Sequence, residues 1–260
     1  MTGDLHLDTG AELEKPSVAL ELMGVPIHDV TMQETVRWVI QWITQRGVHQ
    51  IATVNPEFLI RARDDAAFRK VLRHAALCIP DGIGIVWAAR LRRASLRERV
   101  AGSDLVPRLA EEAAGRGWRV FFLGAAPGVA ETTARMLAER YPGLQIAGCY
   151  AGSPAPDEEF EISERVRRSQ ADLLFVAYGA PRQDLWLSRN LARTGAAVGI
   201  GVGGSFDFIA GVSKRAPRWV QRLGLEWLDR LIREPRRWRR QLALPRFAAL
   251  VLLRHDQPEP

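Results

Sequence analysis

Apolar positions along this chain recur with two periods, and their alternation sets out an architecture. Short unbroken apolar runs, such as Ile51-Ala52-Thr53-Val54 and Leu77-Cys78-Ile79, read as strands buried on both faces. Between such runs lie longer stretches whose apolar residues return every three to four positions, as in helices packed by one side. Thr31 to Arg46 is one, with Val36, Val39, Ile40 and Ile43 on a single stripe. The same reading predicts a strand at Leu22–Ile27 and further strands at Arg119–Leu123, Leu144–Cys149, Asp172–Tyr178 and Val198–Val202. Helices are expected from Glu57 to about Arg73, and at Asp104–Gly115, Gly128–Tyr141, Asp157–Ser169 and Arg182–Arg193. Strands alternating with helices of this length imply an α/β fold with a mostly parallel sheet and helices on both faces. The alternation stops near Gly211, and from Arg218 onward the chain is rich in Trp, Leu and Arg and helical in character. Three parts follow: a tail over 1–20, expected to be disordered, an α/β core over 21–213, and a basic helical appendage over 214–254.

Composition narrows the function classes. A hydrophobic content of 47% with 25% charged residues, in 260 residues, is that of an ordinary globular protein with a full core. The two cysteines, Cys78 and Cys149, have no paired spacing and end apolar runs, so buried thiols are expected rather than a disulfide or a metal site. The N-terminal segment lacks a signal-peptide layout, and no stretch approaches the ~20 apolar residues of a membrane span. The net charge of +6 is unevenly placed: between Lys214 and Arg254 twelve Lys and Arg face three acids, leaving the rest slightly acidic. Basic charge confined to one end suggests a polyanionic partner for that end.

The candidate chemistry gathers where strands stop. In open α/β sheets ligands bind beyond the carboxyl ends of the strands. The run Ile79-Pro80-Asp81-Gly82 puts an acid there beside a glycine that lets substrate come close, so Asp81 is the candidate general base. Thr53 and Asn55 end the preceding strand, where Asn55 can cap a helix that Pro56 opens. Arg99 and Asp104 bracket a loop before a helix; Arg99 reads as a phosphate clamp or as an exposed arginine with no specific role, and Asp104 as no more than an N-terminal helix charge. Gly124, in Leu123-Gly124-Ala125-Ala126-Pro127-Gly128, reads as a phosphate turn or a plain strand-to-helix turn. Gly201-Val202-Gly203-Gly204 holds backbone close to a ligand or makes a tight turn, and neither stretch is the dinucleotide fingerprint. Gln183, in Tyr178-Gly179-Ala180-Pro181-Arg182-Gln183, sits in a first helical turn, either reaching across the cleft or solvated. No Asp-x-Asp, HExxH, paired Cys or GxSxG occurs, so a carboxylate-held metal is not expected.

The appendage has its own pattern. Arg230, Arg233, Arg237 and Arg240 fall within one helical arc, while Trp227, Leu228, Leu231 and Ile232 line another. Pro235 interrupts, implying two short helices with a joint. Such a segment suits an anionic membrane surface, or a helical cap with a solvated basic face.

Taken in order, TVNPEFL, IPDGIGIVWAAR, ERVAGSD, FFLGAAPGVA, YGAPRQDLW, GVGGSFDFIAG, KRAPRW and GLEWLDRLIREPRRWRR resemble the WecG/TagA/CpsF family of bacterial glycosyltransferases, from about Leu22 to Phe247. The resemblance implies a Rossmann-like fold and an inverting, metal-independent transferase without a cofactor. It implies transfer from a UDP-sugar to a polyprenyl-diphosphate-linked sugar, at the inner face of the cytoplasmic membrane. By the same resemblance Asp81 is the base, and Thr53 and Gln183 belong to the catalytic set. Asn55, Gly82, Arg99, Gly124, Gly203, Gly204 and Asp207 fall to substrate binding, as do Arg230, Arg237 and Arg240 of the appendage. Two positions depart from the pattern: Asp184, where Glu is common, and Asp229, where an aromatic is frequent. The sugar, N-acetylmannosamine-type or glucose-type, is left open, as are monomer, dimer and trimer. The rival readings are an anion- or nucleic-acid-binding module with a basic tail and a nicotinamide dehydrogenase. The first leaves Asp81, Gln183 and the glycine-lined strand ends unexplained, so no nucleic-acid partner is expected.

Overall fold

The computed structural model describes residues 16–217, 220, 225–233, 238 and 242–253. It begins with an antiparallel hairpin, β1 (Val18–Leu22) and β2 (Val25–His28). The single strand expected at Leu22–Ile27 is therefore the hairpin's turn and second arm. Met23 and Gly24 both have positive φ (52° and 75°), the two-residue turn that matches strand twist.

Six parallel strands follow: β3 (His49–Val54), β4 (Leu77–Pro80), β5 (Arg119–Gly124), β6 (Gln145–Tyr150), β7 (Leu173–Ala177) and β8 (Val198–Gly201). Their order across the sheet is β4-β3-β8-β7-β5-β6. The expected parallel sheet is thus present, with every strand within two residues of its predicted place.

Local sequence explains most of the helices. In α1 (Met32–Gln45) the Thr31 hydroxyl accepts from the Glu34 amide and the Glu34 carboxylate accepts from the Thr31 amide, a full capping box. The helix expected from Glu57 to Arg73 is instead two, α2 (Pro56–Asp64) and α3 (Ala66–His74). Asp65 makes the break: its carboxylate accepts from the Phe68 amide and starts a second helix where the first would have continued. Then come α4 (Ile83–Leu91), α5 (Gly102–Arg116), α6 (Val129–Arg140), α7 (Glu159–Ser169), α8 (Arg182–Thr194) and α9 (Ser205–Ile209). Beyond these are α10 (Glu226–Arg233) and α11 (Ala243–Leu252). Pro235, Arg237 and Arg240 lie outside the described residues.

The two-residue alternation of the strands sorts their side chains between two layers. Ile51, Ile79, Val120, Phe122, Phe175 and Ile200 pack against α1, α5, α6 and Phe206 of α9. On the opposite face Ala52, Val54 and Cys78 meet the hairpin, α2, α3 and α4, while Phe121, Leu174 and Val176 meet α7 and α8. Phe247 and Val251 of α11 are buried in this second layer, so the last described helix adds to the core beside α2 and α4. Arg246 of α11 also pairs with Asp64 of α2 at 2.6 Å. Both cysteines are free thiols, Cys78 buried and Cys149 half-buried.

This topology decides where a ligand can go. After β3 the chain turns to the α2 and α3 face; after its neighbour β8 it turns to the α9 face. Diverging connections from adjacent parallel strands leave a crevice at their carboxyl ends.

Candidate active site

The crevice is a cavity of about 430 Å³, walled by the ends of β3, β4, β7 and β8 and roofed by residues 214–216 and 226–229. Thr53, Asn55, Asp81, Gly82, Arg99, Gln183, Gly203, Gly204 and Asp207, far apart in sequence, all line it. Gly124 does not. It ends β5, on the far side of β7 from the crevice, with a φ of +99° and the Ala177 backbone 2.9 Å from where a Cβ would sit. Close strand packing, rather than a phosphate turn, is what requires glycine there. Arg230 lies within α10, whereas Arg237 and Arg240 fall outside the described residues.

Asp81 is set by the backbone on both sides. Its amide donates to the Val54 carbonyl at 2.7 Å, prolonging the β3–β4 pairing by one residue. Gly82 then takes a φ of +117°, a conformation that side chains rarely adopt, and opens α4. Gly102 packs close against the site: a Cβ there would lie 3.3 Å from the Thr53 methyl, tight enough to push it by a few tenths of an ångström, and 3.8 Å from an Asp81 carboxylate oxygen. The Asp81 carboxyl is half-buried, and its pKa is pushed up to about 6. Desolvation by the surrounding protein is the main cause, opposed by the Arg99 guanidinium and the Gly102 amide, 3.5 Å away. A carboxyl with that value is ionised at neutral pH yet basic enough to hold a proton, which is what general base catalysis asks for.

The other residues of the floor mainly shape it. Thr53 donates its hydroxyl to the Gly201 carbonyl at 3.0 Å, joining the ends of β3 and β8. The Asn55 side-chain oxygen accepts from the Phe58 amide at 3.1 Å, the expected cap of α2. Gln183 is 1% exposed and does not reach across the cleft. Its side-chain oxygen accepts from the Gly179 and Gly203 amides, at 3.1 and 3.0 Å, tying the β7 loop to the β8 loop. Behind it Asp184 is fully buried, and burial pushes its carboxyl up to about 8. The Gln183 amide lies close enough to favour the charged form slightly, yet neither Asp184 carboxyl oxygen makes a well-formed hydrogen bond. Gly201 permits this crowding, since a Cβ there would sit 2.6 Å from the Gln183 side-chain nitrogen.

Cationic groups gather on the other side. Arg99 pairs with Glu226, the first residue of α10. Arg215 forks onto Asp104, with one contact at 2.7 Å, and approaches Glu226 at 3.6 Å. The Asp104 carboxyl is accordingly held below the usual range, first by hydrogen bonding to Arg215. Arg215, Glu226, Trp227 and Leu244 were not among the sequence candidates, although KRAPRW directly after the α/β pattern marked the first of them. Among the described residues no three His, Cys, Asp or Glu side chains cluster in a metal-binding arrangement. The cleft therefore brings a carboxyl with a raised pKa together with Arg99, Lys214 and Arg215, two of them held in ion pairs.

Most of the chain matches known proteins. The model of the glycosyl transferase WecG/TagA/CpsF family matches residues 20–259. An N-acetylglucosaminyldiphosphoundecaprenol N-acetyl-beta-D-mannosaminyltransferase of Bacillus spizizenii is 38% identical over 207 residues, covering 80% of this chain and 79% of its own. The Bacillus subtilis (strain 168) protein of the same description is 37% identical over 211 residues, covering 81% and 82%.

Proposed function

From the premise that the chain belongs to the WecG/TagA/CpsF family of glycosyl transferases, we propose that it moves N-acetylmannosamine from a UDP-linked donor to an acceptor sugar on a polyprenyl diphosphate, in cell-envelope polysaccharide synthesis. Asp81 takes the proton of the acceptor hydroxyl as that oxygen attacks the anomeric carbon, and UDP departs from the opposite face. A single displacement of this kind inverts the anomeric centre, turning an α-linked donor into a β-linked product. The relatives' names specify a β-mannosaminyl linkage, which fits. The observation that carries the reading is the Asp81 carboxyl, pushed up to about 6 at the carboxyl end of β4 in a cleft that Arg99, Lys214 and Arg215 also line.

Charge on the departing diphosphate falls to Arg99, Lys214 and Arg215, which line the cleft, and we assign Arg230, Arg237 and Arg240 of the sequence to the same polyanion. Fixed cations aimed at developing charge lower the barrier without reorganising at the moment of reaction. Asp104 and Glu226 already hold arginines, and so does Asp229, bound to Arg233 at 2.8 Å. Glu226 and Asp229 in the cleft and Asp104 beside it are thus engaged with guanidinium groups, and no three described acids, histidines or cysteines cluster for a metal; we read the reaction as metal-independent.

No described helix is long and apolar enough to cross a membrane. Segment 214–254 instead carries exposed Trp227, Leu228 and Ile232 beside its arginines, and we assign it to docking on the anionic inner face of the cytoplasmic membrane. The test is transfer from UDP-N-acetylmannosamine to N-acetylglucosaminyl-diphosphate lipid, with and without EDTA, and with the product linkage read by NMR. A β-linked product made equally well in EDTA is expected. An α-linked product overturns the displacement, and activity lost to EDTA overturns metal independence.

A further inference from the structure

Helix α4 leaves the catalytic loop with an unusual outer side. Its inner positions Ile85, Val86, Ala88 and Ala89 are buried. On the outer side Trp87 is 64% exposed and Leu91 is 51% exposed. Ile83 precedes Trp87 by four residues and Leu91 follows it by four, so the three side chains stack along one face. Ile83 lines the cleft. The stripe thus runs outward from the cleft for about 12 Å at 1.5 Å per residue. Helix α11 packs beside α4, with Phe247 3.7 Å from where a Cβ on Gly84 would sit, and its Leu244 also lines the cleft. Arg90 and Arg93, both exposed, flank the stripe. An apolar stripe with a charged rim, continuous with a cleft, marks a surface built to be covered.

We propose that Ile83, Trp87 and Leu91 form the track along which the isoprenoid tail of the lipid-linked acceptor leaves the cleft. The proposal rests on the reading that the acceptor is a polyprenyl diphosphate, as the relatives' undecaprenol substrate suggests. The diphosphate and sugar must enter a polar cavity, while the hydrocarbon attached to them avoids water. The first isoprene units therefore need cover between Asp81 and the lipid surface. A contiguous apolar stripe beginning at the cavity wall supplies that cover, and the indole of Trp87 offers its largest contact area.

The test compares two water-soluble acceptors with the same N-acetylglucosaminyl-diphosphate head, one carrying a farnesyl tail and the other a methyl group. Both are assayed with the full chain and with the Trp87→Ser, Leu91→Ser double variant. Phe160→Ser, which removes a 67% exposed aromatic on α7 away from the cleft, is the control. We expect the farnesyl acceptor to have a KM about tenfold lower in the parent, the scale of one good aromatic contact. The double variant should lose that advantage while its kcat and KM for the methyl acceptor stay unchanged. Parent activity on both acceptors without tail preference refutes the track alone. So does a variant that keeps the preference, or one that weakens both acceptors equally. A variant that keeps the preference but no longer sediments with acceptor-free anionic vesicles reassigns the face to bilayer contact. Inactivity of the parent toward both acceptors refutes the assigned reaction, and the track with it.

Discussion

Asp81→Asn should make the protein nearly inactive and more stable at neutral pH. Asn keeps the shape of the side chain and removes its capacity to accept a proton. A positioned base is worth about 10² to 10⁴ in rate, so kcat should fall by that order. Stability moves the other way because burial raises the carboxyl from 3.8 to about 6 in the folded state. At 1.36 kcal/mol per pH unit the charged form is disfavoured by up to about 3 kcal/mol, and the side chain's opening to the cleft reduces this to roughly 1–2 kcal/mol. A folded-state pKa above the unfolded one stabilises fully below pH 3.8, and that contribution is lost as pH rises through about 6. The variant should therefore match the parent near pH 4 and exceed it above pH 7, by about 2–4 °C in Tm for each kcal/mol. Parent activity should rise with pH through about 6 and then level, the profile of a base that works deprotonated. Melting curves and initial rates over pH 4.5–8.5 test both halves. An unchanged rate removes Asp81 from the chemistry. A variant destabilised at pH 7.5 shows that Arg99 more than compensates the carboxylate, contrary to the desolvation argument.

Two further outcomes follow from charges placed around the cleft. Asp184, fully buried with its carboxyl pushed up from 3.8 to about 8, is the same case over a wider range: its contribution is complete below pH 3.8 and gone above about 8, so parent Tm should fall as pH rises from about 4 to 8 and then level. Asp184→Asn should flatten that drop, and an equal drop in the variant would show that another group titrates. Glu226 occupies Arg99 with an anion that a diphosphate must displace, so Glu226→Gln should tighten UDP binding roughly two- to fivefold, the scale of one half-exposed pair. Calorimetry showing weaker binding would mean that Glu226 orients Arg99 for the ligand.

The parallel sheet was legible because each strand is a short apolar run next to a helix of clear period, so local and global signals agree. What escaped was decided by single residues. Leu22 to Ile27 keeps its apolar character through Met23, and nothing in that pattern announces a left-handed turn at a buried methionine. The period from Glu57 to Arg73 also runs on unbroken, and only the Asp65 cap splits it. In the cleft, Asp81, Gly82 and Arg99 were found from strand ends and loop chemistry. Gln183 was found as well, though its structural role as a clamp on two glycine amides depends on β7 and β8 lying side by side. Glu226 was invisible in this sense: it meets Arg99 across 127 residues, a contact that no local pattern encodes.

The departures from ordinary folding rules share one location. Gly82 has a φ reserved for glycine, Asp184 is a buried carboxyl without a well-made hydrogen bond, and Asp81 is an acid whose charge its surroundings disfavour. All three lie at or directly behind the carboxyl ends of β3, β4, β7 and β8, and each costs stability that the two packed layers supply. Selection for stability alone would replace Asp81 and Asp184 with neutral side chains of similar shape, at little risk to the fold. Carboxyls whose surroundings disfavour their charge are what a functional site predicts, and here both stand at or behind the strand ends. The arginines opposite complete the logic. They hold Glu226 and Asp104 in ion pairs, and in the proposed reaction a diphosphate would take the place of those carboxylates.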